Sequence, residues 1–163
     1  LVLISNLREY DYPVRSLSEY TYIITQEFMR CLEGMKTNIL QIKPVKYMNG
    51  KTKNIISNRV YYAMTTDKLE LEEVVNLKEC EYEQVYGVDE LLKMSILENC
   101  DYDLFDIKHE TKCSLIVSEK FRQKANDLKL EYLEFLPVEL TKLITTKEWM
   151  ATEINSLPRY TPV

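Results

Sequence analysis

Apolar positions along the chain fall into two similar patterns. Tyr22-Ile23-Ile24 and Leu115-Ile116-Val117 are short β-rich apolar runs, and each predicts a buried strand. Thr25 and Ser118 follow them as hydroxyl N-caps, with Gln26 and Glu119 in the next turn. Phe28, Leu32 and Met35 then stand at i, i+4 and i+7, as do Phe121, Ala125 and Leu128, which predicts a short helix with one apolar stripe in each copy. Alternation resumes at Ile39-Leu40-Gln41-Ile42 and at Tyr132-Leu133-Glu134-Phe135, predicting a strand in both places. Pro44 and Pro137 are expected to end or edge those strands, because proline cannot donate to a ladder.

These units, residues 21–45 and 114–138, align without a gap at an offset of 93. Ile23, Phe28, Lys36, Leu40, Pro44 and Val45 meet identical residues in the second copy. Two copies are too few for a solenoid, so the pattern reads as a duplicated strand–helix–strand unit inside one α+β domain. Between the copies, Asn49-Gly50 signals a turn within a longer polar loop, followed by a strand in which Val60, Tyr62 and Met64 share one face. Val74 to Leu77 reads as a short strand, residues 85–97 fit strand or helix, and Asp101 to Phe105 reads as a loop with Tyr102, Leu104 and Phe105 turned inward. Leu140, Leu143, Ile144, Trp149 and Ile154 have helical spacing, which gives a domain over 1–155 and an irregular tail over 156–163.

Composition narrows the class. The 163 residues are 45% hydrophobic, with three glycines and five prolines, which suits one globular domain rather than a low-complexity chain. No apolar run approaches the ~20 residues that span a bilayer. The opening Leu-Val-Leu-Ile is too short for the apolar region of a signal peptide, and the chain begins without Met, so trimmed residues before it are expected. Cys31, Cys80, Cys100 and Cys113 have unrelated spacings and read as free thiols in a reducing cytoplasm.

Charge is unevenly distributed. Residues 1–66 carry a net +4, residues 67–110 a net −10 and residues 111–163 a net +1. An acidic block of this kind repels nucleic acid and anionic membranes and attracts basic partners. A solvated surface that keeps the protein soluble is the plainer reading. Asp67, Glu70, Glu72, Glu73, Glu79, Glu81 and Glu83 are the candidate partner-binding residues.

Candidates for catalysis are few. His109, the single histidine, begins His109-Glu110 as a zinc motif would, but the second histidine of that motif is absent. His109 and Cys113 could form a nucleophile–base or metal pair; a loop histidine and a buried cysteine explain them as well. Isolated Gly34, Gly50 and Gly87 cannot build a phosphate loop. No cofactor and no metal are expected. Of the twelve tyrosines, Tyr61, Tyr62 and Tyr132 read as core strand residues, while Tyr10, Tyr12, Tyr82 and Tyr86 sit in polar contexts that suit an interface.

The order of features (strand, hydroxyl-led helix, strand to Pro-Val, a Tyr-Tyr strand, an acidic middle, "DYDLFDI", then "LIVSEKFRQKANDLKLEYLEFLPV") resembles the immunity proteins of bacterial polymorphic toxin systems. The closest are immunity protein family eleven and its relative, family forty-three. The resemblance covers residues 20–140 and is most specific from Leu104 to Val138. It implies a small cytoplasmic, non-enzymatic inhibitor that binds a cognate secreted toxin, one whose basic nuclease domain an acidic surface could occupy. It brings no catalytic residues to carry over, and the acidic block sets the expectation of no nucleic-acid and no membrane partner. A small cytosolic enzyme built on His109, Cys113 and nearby acids, or a structural or phage-derived scaffold component, are the rival readings.

Overall fold

The structure, a computed structural model, describes residues 2–5, 13–18, 20–55, 59–85, 88–108, 115–133, 135 and 138. It is an α+β fold. A five-stranded sheet is formed by β1 (Val2–Ser5), β2 (Val14–Ser18), β3 (Thr21–Thr25), β4 (Ile39–Asn49) and β5 (Tyr61–Thr66), in the order β1-β4-β5-β3-β2. Its pairs are antiparallel except β1 with β4, which run parallel. A three-stranded sheet contains β6 (Lys68–Leu69), β9 (Leu104–Ile107) and β10 (Ile116–Val117), and a separate hairpin contains β7 (Glu81–Val85) and β8 (Val88–Lys93). Helix α1 (Gln26–Cys31) follows β3, α2 (Leu71–Val74) follows β6, and α3 (Glu119–Asp127) follows β10. No helix among the described residues is long and apolar enough to cross a membrane.

The core is organised by β9, all four of whose residues are buried. Strand alternation sends Leu104 toward the five-stranded sheet, where it joins Tyr22, Ile24, Met64, Phe28, Cys31, Phe121 and Ala125. Phe105 and Ile107 join Val74, Val75, Met94 and Ile116 in a second cluster. Ile23, Val45, Tyr47, Tyr61 and Ala63 are buried on the opposite face of the large sheet. The expected face alternation of β5 is therefore present, with Met64 on one side and Tyr61 and Ala63 on the other.

The first halves of the duplicated unit match closely. Thr25 Oγ1 accepts a hydrogen bond from the Phe28 N–H at 3.3 Å, and Ser118 Oγ accepts one from the Phe121 N–H at 3.2 Å. Phe28 and Phe121 are both buried. The copies then diverge. Helix α1 stops at Cys31, leaving Leu32 as its C-cap and Met35 beyond it, while α3 continues to Asp127. Gly34, with φ 73°, takes the left-handed conformation that turns the first copy toward β4. Asp127 stands at the equivalent position, and the second copy turns instead at Lys129 (φ 52°) and Tyr132 (φ 63°). Among the described residues the strand expected over Tyr132 to Phe135 is thus not formed: residues 131–132 are a turn, and Leu133 and Phe135 are irregular.

Further corrections concern β4 and its surroundings. Leu40 is a bulge, since Ile39 pairs with Thr66 and Gln41 with Thr65, so the simple alternation breaks and Leu40 is exposed. Pro44 lies inside β4 opposite Tyr62, just before the stretch that β1 covers from Lys46 onward, so it neither ends nor edges the strand. The Asn49-Gly50 loop closes through Asn49 Oδ1, which accepts from the Lys51 and Thr52 N–H groups at 2.9 and 3.0 Å. Val74 ends α2, and Val75 makes only an isolated bridge to Ile96. Of the stretch 85–97, Val85 ends β7 and Val88–Lys93 form β8, and Leu104 and Phe105 open β9 rather than a loop. Strands β1 and β2 had no counterpart in the hydrophobic pattern. Pro137, the helix expected over 139–154 and the tail over 156–163 lie outside the described residues.

Candidate functional site

The seven candidate acids follow one another from the end of β5 into β7, and most are already engaged within the fold. Asp67 is exposed between β5 and β6, and its main chain pairs with Asn38, whose carbonyl accepts the Asp67 N–H at 2.9 Å. Glu70 is the N-cap of α2 and forms an ion pair with Lys108, whose ammonium that carboxylate holds above its usual pKa. The Glu73 carboxylate reaches back to accept the Glu70 N–H at 2.7 Å, the reciprocal contact of a capping box. Glu79 accepts the Ser95 hydroxyl at 2.8 Å, which ties α2's exit to the base of the hairpin. Glu81 pairs with Lys93 across the hairpin at 3.1 Å. Glu83 occupies the register position directly opposite Glu90. Glu72 is exposed on α2.

The structure therefore redistributes the acidic block. Asp103 and Asp106, two of its fourteen carboxylates, are buried and belong to the core rather than to any surface. Asp103 fixes three segments at once. Its carboxylate accepts the Lys36 N–H at 3.0 Å, the Ser118 hydroxyl at 2.8 Å and the Lys120 ammonium at 2.8 Å. Burial alone would push the Asp103 carboxyl up, but these donors outweigh it and hold the group below the usual carboxylate range. Lys120 and Lys124 also donate to the Gly34 and Glu33 carbonyls at 3.1 and 2.7 Å, satisfying carbonyls just past the end of α1. Asp101 adds an exposed ion pair with Lys36, whose ammonium also lies 4.7 Å from the Tyr102 ring centroid.

Asp106 joins the two sheets. Its Oδ2 accepts the Tyr22 hydroxyl at 2.8 Å and lies 3.5 Å from the Thr66 hydroxyl, while its Oδ1 accepts the Ile107 N–H at 2.9 Å. Burial raises the Asp106 carboxyl, outweighing those hydrogen bonds and the nearby Lys68. Tyr22 is raised as well, first by burial and then by the adjacent carboxylate. The sequence signal for this pair was a charged residue inside the apolar run Leu104 to Ile107, which in a strand marks either a bulge or a buried, partnered acid.

Cys31 is buried and its thiol is raised by that burial, and Cys80 and Cys100 are free. Among the described residues no group of three or more His, Cys, Asp or Glu side chains gathers to hold a metal ion. His109 and Cys113 lie outside the described residues, as do Tyr10, Tyr12 and Tyr86. Tyr61 is buried as expected, Tyr82 is exposed, and Tyr132 is exposed rather than a core strand residue. Compared with known protein-family models and with curated proteins, the chain matches none.

Proposed function

We propose that this chain is a binding protein of the immunity type, which blocks a cognate secreted toxin by stoichiometric contact through the β6–α2–β7 surface. The supporting observation is the charge left over after internal pairing. Residues 67–110 hold only four lysines. Two of these, Lys108 and Lys93, are matched to Glu70 and Glu81, which leaves Asp67 and Glu72 as exposed acids of this surface. A basic partner is attracted by the field of that surface, which accelerates its approach.

The test pairs this protein with the toxin domain encoded beside it. Purified toxin should bind at 1:1 stoichiometry, with an association rate that falls as salt rises and the Debye length shrinks to ~3 Å at 1 M. The Asp67→Lys, Glu72→Lys double variant should associate more slowly at low salt and fail to protect co-expressing cells. An adjacent toxin that neither binds nor is neutralised would remove this reading.

A further inference from the structure

We propose that the far end of β4 and the loop after it form a second recognition site, one that docks on an anionic lipid bilayer surface. From Gly34 to Thr66 the chain has no aspartate or glutamate and six cations, Lys36, Lys43, Lys46, Lys51, Lys53 and Arg59. Lys36, Lys93, Lys108 and Lys120 are each paired with a carboxylate. Lys43, Lys46, Lys51 and Lys53 are exposed and form no ion pair among the described residues.

Strand register brings apolar side chains to these lysines. Val45 and Tyr47 are buried on one face of β4, so alternation turns Lys46 and Met48 to the other. Val2 of β1 pairs with Lys46, and Ile55 bridges to Met48 from the side of β4 that β1 leaves open. Val2 is 51% exposed and Ile55 61% exposed, so two aliphatic side chains flank an exposed lysine on one surface. The loop between Met48 and Ile55 is fixed by its own backbone: the Asn49 N–H donates to the Asn54 carbonyl at 2.9 Å and the Lys53 N–H to the Asn49 carbonyl at 3.0 Å. It holds Lys51 and Lys53 in water at the end of the strand.

The side-chain types identify the occupant. Nucleic acid would neutralise the lysines but leave Val2 and Ile55 in water, because bases stack on aromatic rings and the neighbouring Tyr47 and Tyr61 are buried. Protein interfaces are depleted in lysine and enriched in arginine and aromatic residues. An anionic bilayer surface satisfies both kinds of group: the ammoniums meet phosphate oxygens, while lysine stems and aliphatic side chains enter the boundary with the acyl chains. The expectation of no membrane partner rests on the acidic block, and that block starts at the other end of β4. Asp67 lies beside Asn38, whose carbonyl accepts its N–H. Asn49 ends the same strand, roughly 35 Å further along an extended backbone. Asp67 is therefore screened from the contact, since the Debye length at physiological salt is about 8 Å. This site shares no residue with the acidic surface, and its test does not depend on a toxin.

The test is co-sedimentation of the full chain with vesicles of phosphatidylcholine alone and with vesicles holding an equal part of phosphatidylglycerol. Binding is expected to the mixed vesicles only, and it should fall as the Debye length drops from about 10 Å at 0.1 M salt to ~3 Å at 1 M. Lys46→Gln and Lys51→Gln should each weaken it about fivefold, whereas Lys78→Gln, the same charge change outside this site, should not. Ile55→Ser should weaken it at low and high salt alike. All four variants should melt with wild type, since each replaced side chain is exposed. The proposal is overturned if anionic vesicles do not bind or if neutral vesicles bind equally. It is also overturned if a DNA duplex releases the protein, or if inorganic phosphate does so more than chloride at the same ionic strength. Wild-type binding by Lys46→Gln, Lys51→Gln and Ile55→Ser together, or binding lost only in variants that melt markedly lower, overturns it as well.

Discussion

The rings of Phe28 and Phe121 meet at 5.5 Å between centroids, tilted by 56°, so equivalent positions of the duplicated unit pack against each other in one hydrophobic cluster. Each side chain is buried, and each follows a hydroxyl-capped helix start. Phe28→Ala and Phe121→Ala should each cost about 3–5 kcal/mol, the range for deleting a core aromatic side chain. Because the rings touch, the double variant should lose less than the two single losses combined, with a coupling of about 0.5–3 kcal/mol in urea unfolding. Additive losses would mean that the rings act independently.

The buried aspartates should give opposite pH dependences. The ordinary aspartate value, about 3.9, describes the unfolded chain. Asp103 is lowered in the folded state, so its contribution is present above that value and is lost as the pH falls through the lower folded one. Asp103→Asn should therefore destabilise most at pH 7, and the gap from wild type should narrow as both are acidified. Asp106 is raised, so its favourable contribution is complete below the ordinary value and is lost as the pH rises through the higher folded one. Asp106→Asn, which stays neutral, should compare more favourably with wild type at pH 7 than at pH 4. Urea titrations of the three proteins at several pH values test both signs.

Lys129 occupies the position after the α3 C-cap where glycine is the common choice. Lys129→Gly removes the contact between Cβ and backbone that opposes this conformation, worth about 1 kcal/mol. In a domain of this size the melting temperature should rise by roughly 2–4 °C. A fall would show that the lysine side chain contributes more through its own contacts than its backbone conformation costs.

The legible parts of the fold were those that local chemistry decides. Thr25 and Ser118 could be read as caps because a hydroxyl before an apolar-periodic run has one favourable use, and the structure has both cap bonds. The divergence of the two copies was not legible. It depends on which residue adopts a left-handed φ, and Lys129 and Tyr132 do so against their own preferences while Gly34 follows its own. The same turn moved Tyr132 from an expected core strand to an exposed position. Strand β2 was hidden because its residues are largely exposed and its register shifts between Ser16 and Ser18, so no alternation marks it. Within the acidic block, counting charge could not separate Glu72, which faces solvent, from Asp106, which lies between two sheets.

That separation changes how the acidic surface should be probed. Reversing Glu70, Glu72 and Glu73 together would confound binding with folding, because Glu70 pairs with Lys108 and Glu73 closes the start of α2. Glu72 makes neither contact and stands exposed one position before Glu73. Glu73→Lys should lower the unfolding free energy by about 0.5–1 kcal/mol even without a partner, since the Glu70 N–H loses its acceptor. Glu72→Lys should leave unfolding unchanged within about 0.5 kcal/mol, as surface substitutions usually do. Against a basic toxin it should nevertheless slow association at low salt, and the difference from wild type should shrink at high salt. Melting curves of the free proteins beside stopped-flow association at two ionic strengths separate the two effects. Equal association rates for wild type and Glu72→Lys at low salt would place the contact away from α2.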